Sequence, residues 1–150
     1  VPTIIFVNLA VDDLPAARRF YEALGWAVDP RFSDENAVSV VVSDTIRAML
    51  LTRPFFAQFT GKEIIDARTS TEVQLALSAD SKEAVDALHE KALAAGGTSA
   101  GAQDFGFMYS KSFDDLDGHH WDAVWMDPQA AEDGPPELSD DELRAGIVRP

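Results

Sequence analysis

The sequence predicts an α+β fold: two tandem β-α-β-β-β modules forming a half-barrel cleft, with a mostly antiparallel sheet and the helices outside. Three observations carry that expectation. Each half opens with a β-prone run that feeds an amphipathic helix, each helix stops at glycine, and three more β-prone runs follow. The order of elements repeats even though few residues do.

In the first half, Ile4 to Val11 is rich in β-branched residues and ends at Asp12-Asp13, a strand running into a helix cap. Leu14, Ala17, Phe20, Tyr21 and Leu24 then recur at helical spacing, and Gly25 supplies the stop. Trp26 to Phe32, Ala37 to Ser43 and Thr45 to Thr52 read as strands, parted by Ser33-Asp34-Glu35-Asn36 and by a tight turn near Ser43-Asp44. Residues 53–70 hold Pro54 with Phe55, Phe56 and Phe59, too apolar for a solvated linker, and a short helix is expected around Lys62 to Asp66. This connector is expected to lie on the body or to cover a cavity.

In the second half, Val73 to Ala79 alternates, Asp80 and Glu83 stand at capping-box spacing, and Val85, Leu88, Ala92 and Ala95 form a helical stripe ending at Gly96-Gly97. His89 is expected on the outer, polar side of this helix. Thr98 to Asp104, Phe107 to Asp114 and His119 to Met126 follow as strands, the last two joined by a turn containing Asp117-Gly118. Asp114, Asp115 and Asp117 border that turn and read as solvated, with His119 on the loop side. The domain is thus expected over 1–127, as modules 4–53 and 72–127 around the connector 54–71, with an acidic extension over 128–150. From Asp127 to Pro150 there are seven acidic and two basic residues with four prolines, which reads as a docked extension or a recognition tail.

Composition narrows the function. Across 150 residues, 12 basic and 26 acidic side chains leave a formal charge of −14, a field that repels phosphate backbones and anionic lipid, so neither nucleic acid nor membrane is an expected partner. Cysteine is absent, which removes disulfides, thiolate nucleophiles and Cys-zinc sites. No apolar run approaches the roughly 18 to 20 residues that cross a bilayer, and Val1-Pro2-Thr3 lacks the basic start of an export signal, so a cytoplasmic location is expected. Gly96, Gly97 and Gly101 follow a helix rather than joining a strand to one, and no Walker signature is present, so no nucleotide cofactor is expected. No Ser-His-Asp signature or nucleophile elbow appears.

The string Ile5-Phe6-Val7-Asn8-Leu9-Ala10-Val11-Asp12-Asp13-Leu14, with Phe20-Tyr21 and Leu24-Gly25 closing the helix, resembles the vicinal oxygen chelate superfamily, which includes glyoxalase I, the bleomycin and fosfomycin resistance proteins and the extradiol dioxygenases. The second half matches through Leu75-Ala76-Leu77-Ser78-Ala79-Asp80, Ala95-Gly96-Gly97, Phe113 and Asp117-Gly118. The resemblance spans roughly Ile4 to Asp127. Lys111-Ser112-Phe113 and Trp125-Met126-Asp127-Pro128 look most like its uncharacterised glyoxalase-like members. It implies two-module barrels that often pair as homodimers and bind small organic molecules.

It also implies a four-ligand metal site in the enzymes of the group. Carried over residue by residue, the ligand positions fall at Phe6, at Met49 or Leu50, at Gln74 and at Asp122. Phe, Met and Leu are unsuited to a hard divalent cation, so only two oxygen donors remain. Gln74, His120 and Asp122 together would form at most an irregular site, and no metal or other cofactor is expected.

The resemblance and strand alternation together define a candidate cavity. Phe6, Asn8 and Ala10 share one face of the first strand, Gln74, Ala76 and Ser78 one face of its counterpart, and His120, Asp122, Val124 and Met126 one face of the last. Val73, Leu75 and Leu77 form the opposite, core row. The expected ligand-binding residues are Phe6, Asn8, Arg47, Gln74, Ser78, Tyr109 and His120. Asp122 is the candidate catalytic residue, since an inward carboxylate must be hydrogen-bonded, paired, hydrated or protonated. It serves as ligand or proton contact, structural acceptor or metal ligand. Three functions follow: metal-free binding of a small organic molecule, an atypical isomerase or lyase of glyoxalase I type using Asp122 as acid/base, and a non-catalytic protein-interaction module.

Overall fold

A computed structural model describes all 150 residues, which group into two compact units. The first comprises residues 1–71 together with 116–119, and the second residues 72–115 and 120–150.

The first unit opens with β1 (Ile5–Val11) and α1 (Leu14–Ala23), continues through β2 (Ala27–Asp29), β3 (Ala37–Ser43) and β4 (Ile46–Thr52), and reaches α2 (Arg53–Phe56). Its sheet has the order β1-β4-β3-β2, with β1 parallel to β4 and the other pairs antiparallel. Leu9 and Val11 of β1 are buried with Val38 and Val40 of β3 and Ala48 and Leu50 of β4, one face of the pleat. Helix α1 closes that face with Leu14, Ala17, Phe20 and Tyr21, and each large side chain so buried stabilises by about 1.5–3 kcal/mol. Asp13 caps it, accepting a hydrogen bond from the Ala16 amide at 3.0 Å, and Tyr21 stacks on Trp26 at 5.8 Å.

Two local expectations change here. Strand β2 stops at Asp29 because Pro30 removes a ladder donor, and residues 30–32 form a 3-10 turn held by the Asp29 carboxylate on the Arg31 amide. The helix expected over Lys62 to Asp66 is not formed. Thr52 instead caps α2, with Pro54 in its first turn, and the chain beyond Thr60 is irregular. Asp66 accepts from the Arg68 amide at 3.0 Å and Arg53 donates to the Ile64 carbonyl at 3.0 Å, so turn bonds take the place of helical ones. Helix α2 packs on β1 and β4, which lays the connector against the sheet.

Residues 116–119 complete the first unit. The Asp117 carboxylate accepts from the Asp12 amide at 2.9 Å and faces Arg68, and His119 Nε2 lies 2.7 Å from the Ala10 carbonyl. Asp115 and Asp117 are buried rather than solvated, and the Asp12 amide partners the Asp117 carboxylate. Gly118, at φ +92°, sits where an added Cβ would stand 2.6 Å from Ala67 and Arg68 backbone.

The second unit repeats the plan with β5 (Gln74–Ser78), α3 (Lys82–Ala94), β6 (Thr98–Asp104), β7 (Met108–Asp114) and β8 (His120–Met126). Its sheet runs β5-β8-β7-β6, again with the first strand parallel to the fourth. The chain then forms α4 (Pro128–Asp133), α5 (Asp140–Ala145) and a two-residue strand, β9 (Ile147–Val148), which adds antiparallel to the β6 edge. The acidic extension therefore lengthens this sheet. Neither sheet closes on itself, each carries a helix outside, and no helix is long and apolar enough to cross a membrane.

Helix α3 is capped by Ser81, whose hydroxyl accepts from the Ala84 amide at 3.0 Å; the capping role expected of Asp80 shifts by one residue. Its buried positions are Val85, His89 and Ala92, lying over Phe113, Trp121 and Ala123. His89 is thus in the core and not on the outer side. It is 8% exposed, with Nε2 3.2 Å from the Ser99 hydroxyl. Val73 precedes β5 and is exposed, while Leu75 and Leu77 are half-buried.

Candidate functional site

The face of the second sheet away from α3 lines a half-open pocket of about 310 Å³. Strand alternation builds it: Met108, Ser110 and Ser112 of β7 and His120, Asp122 and Val124 of β8 point in, while Tyr109, Lys111, Phe113 and Trp121 point the other way. Gln74, paired in register with His120, adds an amide from β5. Strand β6 contributes four consecutive residues, 100–103, because a bulge between Ser99 and Ala102, with Gly101 at φ +114°, turns the backbone itself into the wall. The last side comes from residues 147–150. Val148 seats so closely that a Cβ on Gly101 would stand 2.8 Å from its carbonyl oxygen, and one on Gly146 would meet the Phe105 ring at 2.4 Å.

A chain of polar contacts runs along the inner wall. Ser112, the register partner of Asp122, donates its hydroxyl to Asp122 Oδ1. His120 Nε2 lies 2.9 Å from that same oxygen, and His120 Nδ1 lies 3.1 Å from Asp114 Oδ1. A neutral imidazole donates from one nitrogen only, so the second contact needs a further proton on the ring or on a carboxylate. The Asp122 side chain is 20% exposed, desolvated enough to strengthen these contacts yet open to the pocket.

Of the expected site residues, this pocket gathers Gln74, His120 and Asp122. Ser78 lies on β5 but outside the lining, exposed beside Val124. Tyr109 faces the helix side, a correction to its placement in the cavity: its hydroxyl donates to Asp86 Oδ1 at 2.6 Å, and Lys111 Nζ reaches the same oxygen at 2.9 Å. These two donors hold the Asp86 carboxyl below its ordinary range, Lys111 foremost. Phe6, Asn8 and Arg47 belong to the first unit and are not in the lining; Phe6 is 57% exposed, and Arg47 donates to the Ser43 carbonyl at 2.8 Å. Ser110, Ser112 and the 147–150 segment had escaped sequence reasoning. The alternation of Ser110 and Ser112 with Tyr109, Lys111 and Phe113 was the available signal for the first two.

Comparison with known proteins agrees with this architecture. The family described as bleomycin resistance protein-like N-terminal matches residues 3–43. A hypothetical protein from S. aureus is 26% identical, covering 83% of this chain and 95% of its own, with a TM-score of 0.70. A glyoxalase-related enzyme from Fulvimarina pelagi is 25% identical over 83% of this chain and 88% of its own, TM-score 0.67. A glyoxalase/bleomycin resistance protein from Albidiferax ferrireducens T118 is 25% identical over 80% and 95%, TM-score 0.60. The family match and these structural neighbours make the chain similar to the glyoxalase/bleomycin resistance proteins of the vicinal oxygen chelate superfamily. No curated protein matches it.

Enzymes of the vicinal oxygen chelate superfamily imply a divalent metal, and the residues at the corresponding positions do not fit one. The first unit offers Phe6 and Met49 or Leu50, none an oxygen or imidazole donor. In the second, Asp122 Oδ1 is already shared by Ser112 and His120, and both ring nitrogens of His120 face carboxylate oxygens. No group of three or more His, Asp or Glu side chains is arranged to hold an ion. Of the four positions carried over, only Gln74 and Asp122 offer an oxygen donor.

Proposed function

We propose that this protein binds a small organic molecule in the second-unit pocket without a metal. One observation supports the reading above the rest: a single cavity of about 310 Å³ sets the apolar surface of Met108, Val124 and Ile147 against the polar row of Gln74, Ser112 and Asp122. Apolar walls take up ligand carbon and a few convergent polar groups fix its orientation, which is the composition of small-molecule sites. Two-dimensional NMR titration with a fragment collection tests it. Binding fragments should shift the amides of Ser110, Ser112 and Val124, and Asp122→Asn and Gln74→Ala should each weaken the best of them by about tenfold. Fragments that shift other regions alone, or affinities indifferent to both substitutions, would remove this site.

The polar chain favours a second reading, an isomerase or lyase in which Asp122 moves a proton. Ser112, Asp122, His120 and Asp114 are linked by consecutive hydrogen bonds, a route by which a proton taken at the pocket passes along the wall. Exchange of a carbon-bound ligand proton for deuterium in D₂O, abolished in Asp122→Asn, would establish turnover; unexchanged bound ligand leaves the binding function alone.

A further inference from the structure

The charge arrangement inside the pocket points to a ligand class. Arg149 is the only arginine or lysine in the lining, and it has no carboxylate partner within ion-pair distance. Arg18, Arg31, Arg53, Arg68 and Arg144 hold a carboxylate; Arg19, Arg47 and Arg149 do not, and of these three only Arg149 lines the pocket. The one acidic residue of the lining, Asp122, is by contrast compensated through Oδ1, with Oδ2 facing no protein donor. A ligand cation would have to compete with Ser112 and His120 for a charge already engaged, whereas a ligand anion meets an unengaged guanidinium. An amine is therefore disfavoured and an acid favoured, even against the −14 field of the chain, because a planar guanidinium at contact distance outweighs screened charges farther away.

Arg149 is exposed, and the backbone before it sets its place on the pocket wall. It follows β9 directly, and β9 is seated by the two close approaches at Gly101 and Gly146 and by the Ala102–Val148 and Gln103–Ile147 register pairs. The Asp104 amide donates to the Gly146 carbonyl at 2.7 Å just before it.

We infer that the pocket selects a small hydroxylated organic acid, with Arg149 as the residue that reads its carboxylate and Asp122 Oδ2 accepting from its hydroxyl. The inference rests on the binding function proposed for this pocket and specifies its ligand. Mandelate, mandelamide and 2-amino-1-phenylethanol share a phenyl ring and a hydroxyl and differ in carrying a carboxylate, a neutral amide or an ammonium group. Titrated into the full chain by calorimetry and NMR, mandelate should bind about tenfold tighter than mandelamide, with the amine weakest. Arg149→Gln should weaken mandelate far more than mandelamide and bring their ratio near one. Arg144→Gln removes the same unit of charge from the same extension outside the pocket and should preserve the ratio. Equal or tighter binding of the amide or amine, or a ratio untouched by Arg149→Gln, overturns the acid assignment alone. If none of the three shifts the pocket amides, the binding function falls and this inference with it.

Discussion

His120 Nε2 stands 2.9 Å from Asp122 Oδ1, two residues along the same inward face of β8, while Asp114 takes the other ring nitrogen at 3.1 Å. An imidazole engaged at both nitrogens has no lone pair to offer, and a carboxylate oxygen shared by two donors is a poor ligand. Equimolar Zn²⁺, Ni²⁺ or Mn²⁺ should therefore give no saturable heat in calorimetry, and the extensively dialysed protein should carry well under one ion per chain by elemental analysis. Stoichiometric uptake lost in Asp122→Asn would show that the polar chain opens to ligate.

The cap of α3 separates two adjacent residues that look equivalent in sequence. Ser81 accepts from the Ala84 amide, whereas Asp80 lies outside the cap position. Ser81→Ala is expected to cost about 1 kcal/mol in urea unfolding and Asp80→Ala less than about 0.5 kcal/mol. Equal costs would place the cap elsewhere.

Two glycines with positive φ make a matched pair. Gly106, at φ +80°, has open space where a Cβ would lie, and its replacement by alanine carries only the left-handed penalty of roughly 1 kcal/mol. Gly118 adds a clash with Ala67 and Arg68 backbone, so Gly118→Ala should destabilise by about 3 kcal/mol or more. Thermal unfolding of the two variants side by side measures the difference.

His89 supplies the pH dependence. Burial, followed by the nearby Lys111 charge, holds its imidazole below the ordinary range, against the weaker opposing pulls of the Ser112 backbone, Asp86 and Glu90. The unfolded chain then binds the proton more readily, so the stability from neutral His89 is complete above the ordinary histidine pKa. It is lost as pH falls from there toward the depressed folded value. Urea midpoints should decline over that interval in the parent protein and decline less in His89→Gln; parallel slopes would show that His89 titrates alike in both states.

Much of the fold was legible because short-range pattern and burial agree. Leu14, Ala17, Phe20, Tyr21 and Leu24 all face the core as their spacing required, and β3 and β6 run over the expected residues. Alternation also placed His120 and Asp122 on one inward face. The polarity of His89 points outward, yet Val85, His89 and Ala92 follow the spacing of a buried stripe, and Ser99 gives the buried ring a partner. Ser112 was missed because its importance comes from register with Asp122 across β7 and β8, a non-local pairing. The role of 147–150 had no local signal either, since two apolar residues after a glycine read as a strand only once the β6 edge is known.

That edge has a consequence for handling the protein. With β9 in place, the middle of β6 has its outer amides and carbonyls occupied from within the chain. Shortening the protein before Gly146 would leave this row bare, a template for strands of neighbouring molecules. Such a truncated form would be prone to self-association through the sheet margin, and its loss of solubility would come from an uncapped β ladder with the hydrophobic core still intact.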